Sequence, residues 1–320
     1  VMNLDALFLL LDSTMAGGLA AAGNTGGLAR VVGGCIAGWA IFSFLLMRYG
    51  RGGLRAVTKP WRLLGAAAAF GLTLAGGFRS YLVLSAMMFV VMIWLEGLYR
   101  TRAAIFLGVV LVLGGAFLVA FADDLPLPMQ RAISFLPVEV SNVARHDAQS
   151  TLDWRFEMWR IVAAEIPKYF WLGKGFSYDG TDYYLTLEAM RRGIGYKSYE
   201  YALVSGNYHH GILTLIIPFG IWGVLAFTWL MAAGARVLWL NYRFSPPELL
   251  TVNRFLLAVF TVRLLFYLTL YGQFDLDLPL FTGFFGLSVA LNGGIRRAAP
   301  VVVPAASVAR PAAAPVLMPA

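Results

Sequence analysis

Apolar and polar residues alternate along this chain in long blocks. Apolar runs at Val31–Met47, Leu63–Gly76, Tyr81–Leu98 and Ala103–Ala122 are followed by a polar stretch from 123 to 208, then by runs at His209–Met231, Phe255–Tyr271 and Leu280–Leu291. An α-helix rises about 1.5 Å per residue, so runs of this kind read as crossings of a hydrocarbon layer roughly 30 Å thick. The pattern predicts an all-α, polytopic membrane helix bundle, with Pro218 kinking the first helix after the polar stretch. Gly76-Gly77-Phe78-Arg79-Ser80 makes one tight outer turn and Gly272 to Pro279 another. Residues 12 to 30 are small and polar, a loop or re-entrant stretch, and the Pro, Ala and Val of the tail lack any period and predict disorder.

Four regions follow: N-terminal membrane helices over 1–122, an outer loop domain over 123–208, C-terminal membrane helices over 209–295, and a tail over 296–320. Inside the loop domain, Ser150 and Asp153 form a capping-box-like start to an amphipathic helix that Pro167 ends. Leu152, Phe156, Trp159, Val162 or Ala163, and Ile166 supply its apolar stripe, which lies on the membrane face or against the bundle. Leu172-Gly173-Lys174-Gly175-Phe176 is a glycine turn, and a tyrosine-rich segment from Tyr178 to Tyr201 holds a short helix at Leu185–Arg191.

Composition sharpens the class. With 59% hydrophobic and 13% charged residues, the chain departs from soluble proteins, where about half the residues are apolar and about a quarter charged. The net charge of +8 does not point to nucleic acid, because membrane topology accounts for the basic residues. The inner connections hold thirteen Lys or Arg against two acids, Glu96 and Glu248, whereas 123–208 holds nine basic and eleven acidic residues. That asymmetry puts the short basic loops inside and the long polar stretch outside, in a periplasm-like location. Cys35 is the one cysteine, so an internal disulfide is excluded. No basic n-region or small-residue cleavage site marks a signal peptide.

Candidate chemistry gathers where the outer stretch meets the membrane. Arg79, at the outer mouth of two helices, is either an interfacial arginine on lipid phosphate or an anion ligand, since a guanidinium fork suits phosphate. Arg155 and Arg160 lie on the amphipathic helix, where a solvated face is the plain reading, and Trp154 and Trp159 beside them suit an interfacial aromatic belt. His209 and His210 stand at a helix entrance, as structural residues or as groups able to take a proton near neutral pH. His146 is the third histidine, which makes a zinc site a poor fit and favours acid–base chemistry. Arg263, eight residues from either end of its span, sits about 12 Å deep and must face protein or water, in a structural pairing or on an anionic substrate. Asp275 and Asp277 are expected to be solvated.

Three blocks carry a family resemblance: Gly77-Phe-Arg79-Ser80, then Trp154-Arg155-Phe-Glu-Met-Trp159 with Pro167 and Leu172-Gly-Lys174-Gly175, then His209-His210-Gly-Ile-Leu213 with Phe219-Gly220-Ile-Trp-Gly223. In this order, over roughly 60 to 235, the chain resembles the O-antigen ligase and polymerase family of membrane glycosyltransferases. His210 stands where that family usually has asparagine. The resemblance implies a GT-C-like bundle in a bacterial inner membrane, with the active site facing the periplasm and further spans upstream of Val1. It implies an undecaprenyl-diphosphate-linked glycan as donor and a hydroxyl acceptor such as lipid A core, with inverting transfer and no metal or other cofactor. His209 would be the base, with Arg155 and Arg79 catalytic beside it, and Arg160, His210, Arg263 and Lys174 would bind substrate. A polymerase of repeat units, a protein-directed transferase, and a transporter or flippase of an anionic lipid-linked glycan are the competing readings.

Overall fold

A computed structural model describes residues 32–54, 60–175 and 206–297, together with residues 184, 187 and 191. Helices and turns make up all of it, without a strand among the described residues, so the protein is an all-α membrane helix bundle. Three helices open the chain, α1 (Val32–Leu54), α2 (Pro60–Ala75) and α3 (Arg79–Leu95), and a single 3₁₀ turn at Leu98–Arg100 leads to α4 (Arg102–Ala120). The polar stretch then forms α5 (Leu127–Ile133), α6 (Asn142–Ala164) and α7 (Ile166–Tyr169) before α8 (Leu213–Arg243), α9 (Leu250–Thr269) and α10 (Phe274–Asn292) close the bundle. The expectations for 12–30, for most of 178–201 and for the tail beyond 297 fall outside the described residues; Leu187 and Arg191 are helical.

Helix α9 is the centre. It is the most buried of the three long apolar helices, with residues 256 to 260 buried in succession. One side packs Ala258, Val259, Val262 and Phe266 against α1, α2 and α3. The other packs Leu256, Leu257, Phe260 and Tyr267 against α8 and α10. Lipid is as apolar as leucine, so helix order here must come from packing and polar links. Such links cluster at the end of the bundle where α8 and α10 finish and α9 begins: Asn253 and Asn292 exchange amide hydrogen bonds of 2.9 and 2.7 Å and Asn241 donates to Ser288 Oγ at 2.9 Å.

Several boundaries depart from expectation. Helix α9 begins at Leu250, ahead of Phe255, so Arg254 lies inside it and pairs with Glu96 at 3.7 Å, both side chains buried. These two are an internal ion pair and not loop charges. Helix α10 starts at Phe274 because Asp277 reaches back to accept a hydrogen bond from the Gln273 backbone N–H at 2.9 Å, so the expected outer turn is already helical through Pro279. That carboxylate, expected in solvent, is 6% exposed, whereas Asp275 is exposed.

Helix α6 also starts earlier. Ser141 is its cap, accepting from the Ala144 N–H, while Ser150 is interior and donates to the Asp147 carbonyl at 3.1 Å. Its buried face is Ala144, Ala148, Met158 and Val162, with Phe156 exposed, because the alanines let the helix lie close against the bundle. Helix α6 ends at Ala164, ahead of Pro167 as expected, and Pro167 then sits in the first turn of α7, where its missing N–H costs no bond. Helix α5 carries Arg131, 3% exposed, whose guanidinium pairs with Asp147 and donates to the Gly77 carbonyl at 2.7 Å. Arg131 thereby braces the turn that presents Arg79.

The Pro218 kink is real and has a partner. Gly220 takes φ 65° and ψ −164° inside α8, and the turn after α7 fills the break. Lys174 and Gly175 N–H groups donate to the Ile217 and Pro218 carbonyls at 2.7 and 2.9 Å, and Ile221 N–H donates to the Phe170 carbonyl at 2.6 Å. Backbone groups freed at a kink in the membrane must be satisfied within the protein, and these bonds do so. The approach leaves no space for a side chain, since a Cβ on Gly173 (φ +74°) would stand 2.2 Å from the Pro218 carbonyl oxygen. Gly173→Ala is therefore expected to cost about 2 kcal/mol or more in thermal unfolding of the solubilised protein. Gly71→Ala, facing open space on α2, should be near neutral in the same assay.

Candidate active site

The candidate site forms where α6 docks on the turn that enters α8. Met158 and Val162 of α6 pack with Tyr208, Leu213, Ile216 and Ile217, and Trp154 and Trp159 lie along the same contact. These tryptophans face inward and form no membrane belt. Trp159 Nε1 donates to the Tyr208 carbonyl at 2.8 Å, and its ring meets His210 edge-on at 5.1 Å. Trp154 meets His209 at 5.7 Å.

A second loop approaches from the other side. The backbones of Gly211 and Gly272 touch so closely that a Cβ on Gly272 would lie 2.7 Å from Gly211 Cα. The Gly211 carbonyl accepts from Tyr267 Oη at 2.9 Å and from Thr214 Oγ1 at 2.8 Å. This contact sets Tyr271 against His209, with ring centroids 5.1 Å apart, while the Arg155 guanidinium lies 5.7 Å from the centroid of the same Tyr271 ring. One tyrosine ring therefore contacts both the imidazole and the guanidinium.

His209 is held in an uncommon state. Its φ is +50°, the one positive value among the described non-glycine residues, in a region that histidine tolerates better than most residues. Its Nδ1 is buried and has no hydrogen-bond partner among the described residues. Burial, and secondarily the positive charge of Arg155, pulls the imidazole pKa down to about 4. The ring is neutral at neutral pH, with a nitrogen lone pair still to be matched. Tyr271 is pushed above its ordinary value by burial, with Arg155 opposing, so it is a neutral phenol.

The remaining candidates divide. Arg79, the first residue of α3, donates through Nη2 to the Ala148 carbonyl at 2.8 Å. Ala148 precedes Arg155 by two helical turns on one face of α6, a rise of about 10 Å, so Arg79 borders the site. His210 stands just before α8, with its Nδ1 3.5 Å from the Leu213 N–H and its ring on Trp159. Arg160 pairs with Glu157 at 3.0 Å and is 75% exposed, away from His209. Lys174 contributes its backbone to the α8 kink.

Arg263 lies six residues before the end of α9, about 9 Å from it and nearer the surface than its expected mid-span depth. Its guanidinium stands 5.5 Å from the Trp39 ring centroid and within electrostatic reach of Tyr81 and Asp277. Tyr271, which also feels Asp277 and Tyr81, links this inner group to Arg155. Among the described residues no three His, Cys, Asp or Glu side chains gather as a metal site.

Sequence reasoning missed Tyr271 and Tyr267. The available signal was Tyr271-Gly272, an aromatic residue beside a glycine at a helix end, which marks a close loop contact as readily as a turn.

The family model described as O-antigen ligase matches residues 63–228, a little over half of the 320 residues. The match runs from α2 past the kink of α8, and so includes Arg79, Arg155, Lys174, His209 and His210. None of the curated proteins and none of the solved structures matches the chain.

Proposed function

This chain belongs to the O-antigen ligase family, and on that premise we propose that it moves a glycan from an undecaprenyl-diphosphate carrier to an acceptor hydroxyl on lipid A core, at the periplasmic face of a bacterial inner membrane. Membership itself carries glycosyl transfer of the ligase or polymerase type, with lipid-linked glycan and acceptor substrates in general. One observation supports the finer reading: His209 and Arg155 share the Tyr271 ring. A proton acceptor and a fixed cation thus stand side by side, which is what displacement of a diphosphate requires.

In the proposed step the acceptor oxygen forms a bond to the anomeric carbon on the face opposite the diphosphate. The bond from that carbon to the diphosphate oxygen breaks, and its electron pair leaves with undecaprenyl diphosphate. The hydroxyl proton passes to His209. Arg155, with Arg79 along α6, holds the growing charge on the departing phosphates, a role in which preorganised guanidinium groups are effective. On this reading the transfer is inverting and needs no metal. Arg263 and Tyr81 lie deeper and suit the second phosphate or the first sugar.

The low basicity of free His209 fits this sequence of events. Before the donor binds, burial and Arg155 keep the ring neutral. A bound diphosphate neutralises Arg155 and places negative charge nearby, which raises the imidazole pKa and makes the ring a stronger base when it is needed. The expected pH dependence has a definite sign. Since the neutral form is active, kcat/KM should fall on acidification only near pH 4, while the acid limb of kcat should lie at higher pH because it reports the donor complex. Acid limbs that coincide in the two profiles would contradict it.

The functional test is complementation of a strain that lacks its own ligase, scored by long-chain lipopolysaccharide on a gel. Restored long chains support ligation to lipid A core. Altered chain lengths only in a polymerase-deficient strain would favour the polymerase reading. Turnover by the purified protein should survive added chelator, and abolition would contradict metal independence.

A further inference from the structure

At the end of the bundle opposite His209, one side of α8 and the residues just after α10 enclose a groove of about 930 Å³. That is near the upper end of the volumes usual for small-molecule sites, roughly 300 to 1,000 Å³. Trp229, Arg236, Leu240 and Phe244 form one wall, at helical spacing on a single face of α8, with alanines between them as a shallow floor. Ile295 and Arg297 form the other wall. The α8 stripe runs about 22 Å at 1.5 Å per residue, long enough for a headgroup and much of an acyl chain.

The charges decide what belongs there. The lining holds two arginines and no acid, and neither arginine has an ion-pair partner among the described residues. Two guanidinium groups at the rim of an apolar trough call for an anion joined to a long apolar body. Residues 298–320, which follow Arg297, bring one arginine and no Asp or Glu, so that segment has no side chain to neutralise the pair. Trp229, 75% exposed, lies on the stretch of α8 that is apolar enough to cross a membrane, which opens the trough toward the acyl region.

We propose that this groove binds one anionic phospholipid, with its phosphodiester between Arg236 and Arg297 and one acyl chain lying along α8 toward Trp229. Basic pockets between membrane helices on the arginine-rich side are the usual setting for such headgroups. The site is separate from the His209 cluster and does not depend on the transferase reading. Its consequence is that lipid occupancy fixes the distal half of α8, beyond the Gly220 kink, against the end of α10.

The test uses the full chain in phosphatidylcholine vesicles carrying spin-labelled phosphatidylglycerol or spin-labelled phosphatidylcholine, and measures their relative association by electron paramagnetic resonance. Wild-type protein should prefer phosphatidylglycerol. The double variant Arg236→Gln/Arg297→Gln should lower that preference by about fivefold or more, and Arg236→Lys/Arg297→Lys should keep most of it. Arg243→Gln, exposed at the same end but outside the lining, should leave it unchanged.

Three results would overturn the proposal: no preference in wild type, equal losses in Arg243→Gln and the double variant, or displacement by millimolar inorganic phosphate as effective as by lipid. A gain in phosphatidylglycerol association on deleting residues 298–320 would make that segment the occupant instead.

Discussion

Turnover by His209→Ala is expected to fall about 10²- to 10⁴-fold, the usual range for losing a positioned general base, with donor affinity changed little. The imidazole is buried between Trp154 and Tyr271 at 5.7 and 5.1 Å, and its neutral state leaves it no charge with which to hold the donor before reaction. Loss should therefore appear in kcat more than in KM. Steady-state assays of diphosphate release from a lipid-linked glycan check this. His210→Ala is the comparison: the His210 ring meets Trp159 and not the Tyr271 ring that His209 shares with Arg155, so its replacement should reduce turnover far less. Equal kinetic losses in the two variants would contradict the assignment of the base to His209.

Arg155→Gln should show the opposite division. A fixed cation that steadies diphosphate in both bound and reacting states contributes to binding and to the barrier, so KM should rise and kcat should fall, with kcat/KM lower by about 10²- to 10³-fold. Arg155→Lys should recover part of that loss only. An ammonium keeps the charge but lacks the planar fork that can grip two phosphate oxygens. Arg160→Gln is a demanding control. It removes the same charge five residues away on α6, yet Arg160 is an exposed partner of Glu157, and such pairs contribute little. Its kinetics should be close to wild type, and a loss matching that of Arg155→Gln would show that bulk positive charge, not this site, holds the donor.

The bundle was legible because membrane helices are written in blocks of apolar residues. Every span expected from those blocks has a helix where it was placed, with ends displaced by the local chemistry of single side chains. Helix α10 starts early because of the Asp277 cap, and α9 because Arg254 has Glu96 to meet. Neither pairing is visible in a hydropathy pattern, since each joins residues far apart or hides an acid within an apolar run. The amphipathic reading of α6 holds for Trp159, Val162 and Ile166, which pack at the entrance of α8, while Phe156 lies outside and the small residues Ala144 and Ala148 complete the buried face.

The site was legible in part. His209 could be singled out because the chain has three histidines, and Arg155 because it lies in the Trp154–Trp159 block of the polar stretch. Their common partner Tyr271 could not, being one of fourteen tyrosines and meaningful only once Gly211 and Gly272 touch. The motif glycines carry a different lesson. Gly173 reads as part of a glycine turn and Gly220 as part of a helix, yet their conformations and close contacts together build the α8 break, whose freed backbone groups are satisfied within the protein. Lys174 belongs with them through its backbone.

The central claim is that a buried, neutral imidazole beside Arg155 gains basicity when diphosphate arrives. Nuclear magnetic resonance of histidine-labelled protein tests it most directly, since the chain has three histidines and His146→Gln and His210→Gln assign the third. The His209 signal should titrate near pH 4 in the free protein and move upward when undecaprenyl diphosphate is added, with no such movement in Arg155→Gln/Arg79→Gln. A midpoint near the ordinary histidine value of about 6.5, unmoved by the diphosphate, would contradict the account.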